Sequence, residues 1–457
     1  MKMFGEILQA FAEKSPVTVM VHGLLQRVVN EEKINHWFDA IRDVQYTKNI
    51  LFSSLLGIML EVVCKVRSNV HAAYLKSDLG ASRVALYAKL QNIEVKTSRE
   101  LVQYTSNESE EIIRKMNGSN DPLLPGYRTK FLDGNCIEAT EHRIKVLRDT
   151  KAGALPGKSL VLFDPELGIA LDVIPCEDGH AQERSLLSDI LKTIEDQDLI
   201  VADRNFCVLH FLIKISMNNA FFLIRQHKST PFRSLSDATF SGKNDAGRIY
   251  EENVSLTLHE HEVKARRIVI RLNKPTRDGE TEIGVFTNLP FEDVDASKVA
   301  SIYKERWGIE TAFQKLENYL NSEINTLGYP KAALFGFCVA LVAFNLYAVV
   351  TAAIRCVHPD KNINEEVSDY YIAEEVSTIS GGMSIAVPEI EWGVFRDGTI
   401  SEVVELLLYL TRNIDLKKFK KHKRGAKKAP MPKDQFKGQP HVSTAKLLAA
   451  KNQAKAP

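Results

Sequence analysis

Residues 301–317 read SIYKERWGIETAFQKLE. Tyr303, Arg306 and Glu310 stand at i, i+3 and i+7, so at 3.6 residues per turn a phenol, a guanidinium and a carboxylate share one face of a helix. The plain reading is a surface helix with an Arg–Glu pair four residues apart. What turns this stripe into more than a surface face lies upstream. Asp133 and Asp203 each close a short apolar run, 130–132 and DLIVAD at 198–203, and both runs read as strands. Carboxylates at strand ends gather at one edge of a sheet, where the chemistry of open α/β sheets usually collects.

Three carboxylates brought together repel one another, and positive charge has to join them. Hard divalent cations with oxygen ligands, Mg²⁺ or Mn²⁺, meet that need and keep positions open for phosphate oxygens. Two such ions, about four ångströms apart, would suit phosphoryl transfer.

Outward from this stretch the chain changes texture several times. Residues 1–120 are patterned as helices. Within them SDLGASRVALYAKL, 77–90, has a glycine turn before a helix bearing Ser82, Arg83 and Lys89, which suits either a helix-turn-helix or an ordinary helical bundle. DPLLPGYR at 121–128 interrupts the helical pattern and marks a boundary. Three strands follow, at about 130–132, 159–163 and 169–174, then an apolar helical face at 186–194, the strand at 198–203, a helix at 208–215 and a strand at 221–224. Residues 226–293 alternate as β structure and read as an all-β insertion. After the 301–317 helix come an apolar helix at 332–354, a helical region over 351–415 and a tail at 416–457.

Composition narrows the classes. With 457 residues and 44% hydrophobic side chains, the chain can bury a large core and exceeds the usual single-domain size. Six scattered cysteines form no Cys-x-x-Cys pair, which argues against a zinc ribbon or a disulfide framework and for a reducing cytoplasm. Glu6 and Glu13 interrupt the apolar pattern of the opening residues, unlike a secretory leader. The 332–354 stretch is long enough for a membrane span, but it holds Asn345 and Tyr347 and stands alone; a buried core helix with no membrane partner is expected.

The net charge of +1 conceals a split. Residues 416–457 hold thirteen Lys or Arg and one acid, a charge of +12, so the other 415 residues carry −11. Such a tail is a nucleic-acid arm or a solvated, flexible terminus. Eight of its basic residues lie between Lys417 and Lys428. If six of them met phosphates, log affinity would fall with log salt at a slope of roughly −5.

Four pieces taken in order, LDGN at Asp133, ADRNF at Asp203, TNLP at 287–290 and YKERWGIE at 303–310, resemble the DDE transposases of bacterial insertion sequences, and more narrowly the branch with a Tyr-Arg-Glu-Lys signature. The resemblance covers about residues 125–350. It implies an α/β fold with a ribonuclease H-like catalytic core at 121–350, interrupted by the all-β insertion at about 226–293. A helical N-terminal domain at 1–120, with a possible role in binding DNA ends, would precede it, and a helical, basic C-terminal region would follow. It further implies that Asp133, Asp203 and Glu310 are catalytic and hold two divalent metal ions, Mg²⁺ or Mn²⁺. Tyr303 and Arg306 would contact phosphate, and Trp307 would either stack on a base or pack in the core.

Expected partners are double-stranded DNA, as inverted-repeat ends and target, and a second copy of the chain in a synaptic homodimer. The tail residues Lys417, Lys418, Lys420, Lys421, Lys423 and Arg424 would add sequence-independent DNA contacts. The implied reaction is metal-dependent cleavage at the element ends followed by strand transfer, that is, cut-and-paste. Two alternatives stay open: a transposase-derived DNA-binding protein without catalysis, and a nuclease that does not join strands.

One position departs from the signature. The branch's lysine falls seven residues after the glutamate, where this chain has Glu317. Lys315 lies about 160° around the helix from that position. Arg204 and Arg225 are candidate substitutes, and each is equally suited to a structural ion pair.

Overall fold

The computed structural model of the protein describes residues 4–45, 49–138, 144–276, 278–422 and 440–454. Its strands, in chain order, are β1 (Arg128–Ile137), β2 (Gly153–Leu155), β3 (Gly157–Asp164), β4 (Ile169–Cys176), β5 (Asp198–Ala202), β6 (Phe221–Arg225), β7 (Arg233–Ser234), β8 (Thr239–Lys243), β9 (Gly247–Leu258), β10 (His261–Leu272), β11 (Glu282–Thr287) and β12 (His441–Ser443). Ten of these form one mixed sheet in the order β4-β3-β1-β5-β6-β11-β10-β9-β7, with β8 beside β9. β4, β3 and β1 are antiparallel neighbours, whereas β1, β5 and β6 run parallel.

The period of two along the central strands divides their side chains between two cores. Phe131, Val161, Leu199, Val201 and Leu223 face one core. Their chain neighbours Leu132, Leu160, Leu162, Ile200, Ala202, Phe222 and Ile224 face the other. A sheet buried on both faces explains why these segments read as continuous apolar runs rather than alternating ones.

The larger core is closed by helices from both ends of the chain. Pro330–Val357 packs on helices Phe52–Val63, Val95–Lys115 and Ile400–Thr411, and Pro16–Val28 contacts Asp369–Ala386. Residues 1–120 and 351–415 thus share one hydrophobic core with the sheet, where the sequence suggested separate units. Arg27 joins them directly, pairing with Glu108 at 2.5 Å and donating to the Phe395 and Gly398 carbonyls. The helix Arg83–Gln91 is capped by Ser82 and buries Leu86 and Leu90 in the same core, as the bundle reading expects.

Helix Pro330–Val357 is long and apolar enough to cross a membrane by composition, yet 83% of its most apolar window is buried within the protein. Its one amide shows why it is a core helix here. Asn345 is fully buried, accepts from the Ala170 N–H and donates to the Ala170 carbonyl, both at 2.8 Å. It thereby satisfies backbone groups at the edge strand β4, which would otherwise be unpaired.

Several sequence expectations are corrected. Asp133 does not close its strand: β1 runs on to Ile137, and Asp133 pairs with Val161 in the β3 ladder. The change at that point is in burial, from full at 129–132 to partial at 133–136. The face at 186–194 is not one helix but a 3₁₀ turn, a short α-helix and a second 3₁₀ turn.

The residues between β6 and β11 are β structure as expected, but not a separate unit. β11 pairs antiparallel with β6, so the insertion lengthens the same sheet. The described residues of the tail dock on the body: Phe419 is buried, Lys420 bridges Val367, and β12 pairs in parallel with β2. Ser443 and Lys446 both meet Asp178. A single aromatic and two short backbone pairings dock a segment that its charge suggested would be solvated.

Candidate functional site

The stripe that opened the sequence reading lies across a junction. Ala296–Glu305 and Trp307–Asn318 are two helices that meet at Arg306. The joining hydrogen bonds run from Arg306 N–H to Tyr303 and from Ile309 N–H to Arg306, the i to i−3 spacing of a tightened turn.

The TNLP stretch sets the position of the first helix. Asn288 accepts from the Phe222 N–H and donates to the Ala220 carbonyl, tying the end of β11 to the start of β6. The buried Arg266 then donates to the carbonyls of Leu289, Pro290 and Val294. Asp295 caps the helix through the Lys298 N–H at 2.7 Å.

The second helix lies against β1. A Cβ on Gly308 would lie 3.4 Å from the Phe131 ring, an ordinary contact distance, which shows how closely this helix packs on β1. Asp133 follows Phe131 by two residues and therefore points to the same side of the sheet. Arg306 joins the two elements: its Nη1 lies 3.1 Å from Asp133 Oδ2 and its Nη2 lies 2.9 Å from Glu310 Oε1. One cation thus answers two carboxylates.

Asp203 follows the last residue of β5, the strand parallel to β1, and stands at the start of the turn Arg204–Phe206, where its carbonyl accepts from the Phe206 N–H and its side chain makes no capping bond. Burial pushes the Asp133 carboxyl up to about 6. The Gly134 N–H and Arg306 pull it down, while the charges of Glu310 and Asp203 push it further up. Burial also opposes the Arg306 charge, but Tyr303, Asp133, Glu310 and Asp203 together hold that guanidinium above its ordinary value. The Tyr303 hydroxyl is pushed up to about 12, first by burial and then by Asp203, against Arg306 and Arg225. It remains a protonated donor at neutral pH.

Trp307 is 60% exposed beside Arg306, so its ring is not packed in the core. Lys315 pairs with Asp369 at 2.7 Å and is not directed at the carboxylates. Glu317 is exposed on the same helix. Arg204 and Arg225 both pair with Glu280, the former at 3.0 Å. Lys417, Lys418, Lys420 and Lys421 are exposed, whereas Lys423 and Arg424 lie outside the described residues.

Two acids near the site were not singled out from sequence. A Cβ on Gly134 would meet Glu183 Oε1 at 2.2 Å, so Glu183 presses on the glycine of LDGN. Glu280 is the other, and only folding brings it to arginines 76 and 55 residues away.

The donor chemistry fits a hard divalent cation: carboxylate oxygens, and a partly buried Asp133 whose pKa is raised first by burial and then by its acidic neighbours. Their present arrangement does not yet amount to a metal cage. Among the described residues no three acidic, histidine or cysteine side chains are grouped to hold an ion. The Arg306 guanidinium stands between Asp133 and Glu310, and its single positive charge answers only part of what the two carboxylates require.

Residues 125–346 match the transposase DDE domain. That is just under half of the 457 residues and takes in the sheet, Asp133, Asp203 and Glu310. No curated protein matches the chain in sequence. Among solved structures, the chain has a TM-score of 0.38 to the piggyBac transposase in its synaptic complex with hairpin DNA, at 11% identity over 84% of this chain and 85% of that one.

Proposed function

We propose that the protein is a DNA transposase acting in the cytoplasm on double-stranded DNA, with Asp133, Asp203 and Glu310 as its catalytic carboxylates. The observation that carries this reading is the convergence of the three carboxylates from β1, the end of β5 and the helix Trp307–Asn318, within electrostatic reach of one another and around Arg306. The sheet order β4-β3-β1-β5-β6, antiparallel then parallel, favours a ribonuclease H-like core. The transposase DDE match over the same residues supports it independently.

Asp133, Asp203 and Glu310 are the residues that would hold two divalent ions, Mg²⁺ or Mn²⁺. When bound, such ions supply Lewis-acid activation of a water or a 3′-hydroxyl and stabilise the leaving oxygen. The chain's own groups position the strand. Arg306, released from the carboxylates, has a planar fork suited to a phosphate. Tyr303 keeps its proton and can donate to a phosphate oxygen. Exposed Trp307 offers a face on which a base can stack. Lys417, Lys418, Lys420 and Lys421, with Lys423 and Arg424, add sequence-independent attraction to the DNA backbone.

The reaction in this reading is cleavage at inverted-repeat ends and joining of the freed 3′-hydroxyl to target DNA, in an assembly of two copies. The test is incubation of the purified chain with DNA carrying the sequences that flank its gene, with Mg²⁺ and without. Metal-dependent cut ends and strand-joined products are expected. Cleavage without joining would favour a nuclease, and binding without cleavage would reduce the protein to a DNA-binding relative.

A further inference from the structure

Arg204 and Arg225 stand at the same edge of the sheet as Asp203. Arg204 follows it directly, and Arg225 ends β6, whose Ile224 pairs with Ala202 of β5. Both guanidinium groups close on one acid, Glu280: Arg204 Nη1 to Oε1 at 3.0 Å, and Arg225 Nη2 to Oε2. Each oxygen of that carboxylate therefore takes one arginine, as two oxygens of a phosphate would. Two cations answered by one acid leave a formal surplus of one positive charge, the reverse of the balance at Arg306, Asp133 and Glu310.

The acid comes from the loop between β10 and β11, and three hydrogen bonds hold the Glu280 backbone and its neighbours without using the Glu280 carboxylate. Thr276 N–H donates to the Glu280 carbonyl at 2.8 Å, the Glu280 N–H donates to Thr276 Oγ1 at 3.1 Å, and Leu272 N–H donates to the Thr281 carbonyl at 2.8 Å. The carboxylate can swing away while the loop stays. Solvent reaches the cluster, with Arg204 38% and Glu280 20% exposed.

We propose that Arg204 and Arg225 form a second phosphate-binding point beside the carboxylates, and that Glu280 fills it until a DNA backbone phosphate takes its place. This rests on the transposase reading for the identity of the ligand. Glu280 acts as a built-in competitor: it weakens binding of phosphates in general, and DNA that can place a phosphate between the arginines displaces it.

The test is binding of a fluorescent duplex of about 40 base pairs, in EDTA, across roughly 0.05 to 0.2 M salt. Glu280→Gln should bind about three- to tenfold more tightly than the wild-type chain near 0.1 M salt, with a salt slope steeper by about one to two. Glu280→Gln combined with Arg204→Ala and Arg225→Ala should lose the gain. Melting temperatures are read alongside.

A purely structural ion pair predicts a lower melting temperature and no tighter binding, and that result would overturn the proposal. So would a gain that persists without the two arginines. If Glu280→Gln does not fold, Glu280→Asp, which keeps the charge but shortens the reach, decides instead: tighter binding supports the phosphate point, and unchanged affinity overturns it.

DNA cleavage, measured separately with Mg²⁺, keeps the two ideas apart. Cleavage with affinity that ignores Glu280 overturns the phosphate point alone. Tightened binding without cleavage overturns the transposase reading alone, and no binding by any variant overturns both.

Discussion

Strand β1 carries two charged clusters three residues apart, and they are built on opposite principles. Lys130 pairs with Asp198 at 2.6 Å, with side chains 3% and 1% exposed. One cation meets one anion, and Asp198 also accepts from the Glu195 N–H. At Asp133 one guanidinium serves two carboxylates, a third lies within electrostatic reach, and the side chains are partly open to solvent. The sealed pair is balanced and has nothing to bind. The open cluster is short of positive charge, and that deficit is what a divalent cation or a rearranged arginine would satisfy.

The sharpest way to separate the clusters is through activity. Asp203→Ala should lower DNA cleavage by about 10⁴-fold or more while leaving duplex affinity nearly unchanged, the behaviour of a residue used in the chemical step. Robust cleavage by that variant would sink the assignment of the open cluster as the catalytic site.

Stability gives the converse. Asp198→Ala strands a buried ammonium and should cost about 3–5 kcal/mol in denaturant unfolding. Arg306→Ala leaves two partly solvated carboxylates and should cost less, roughly 1–2 kcal/mol. If the order were reversed, the distinction between a structural and a functional pair would fail.

Protonation offers a third contrast. The folded Asp133 carboxyl sits at about 6, above its ordinary value of 3.8. Below both values it is neutral folded and unfolded; as pH rises through about 6 the folded state must carry the charge and loses stability. A cation bound there should restore that loss. Mg²⁺ at ten times its dissociation constant should therefore stabilise the protein by roughly 1.4 kcal/mol at pH 8 and by much less at pH 5. Equal melting shifts at the two pH values would place the ion elsewhere.

The smallest expected effect concerns the departure from the signature. Glu317→Lys reverses a charge on the helix that carries Glu310 and should tighten DNA binding by roughly two- to fivefold, steepening the salt dependence by about one. No change would leave that phosphate contact to other residues, Arg204 and Arg225 among them.

Much of this was legible before folding because it is local. The apolar runs of β3, β4, β5 and β6 announce strands buried on both faces. The stripe Tyr303, Arg306 and Glu310 announces a polar helix face, and Asn345 in the apolar helix speaks for a protein core over a membrane span. Where the reading missed, the deciding contact was remote. Nothing around Asp133 shows that β3 keeps β1 paired past it, and nothing around Phe419 shows that a strongly charged segment docks. The one apolar pattern at 186–194 broke into three turns, of which only the middle one holds buried residues, Leu187 and Ile190.

The sequence by itself determined most of the elements and the inventory of charges: which runs become strands, which face of 301–317 is polar, and where along the chain the three acids and two arginines stand. Those follow from side-chain periodicity and backbone propensity, which act over a few residues. Only the tertiary structure decided the pairings. Arg306 closes on Asp133 from 173 residues away, and Glu280 closes on Arg204 and Arg225 from a different part of the sheet. Electrostatic partners are chosen by proximity in space, and that proximity exists only once the sheet has assembled.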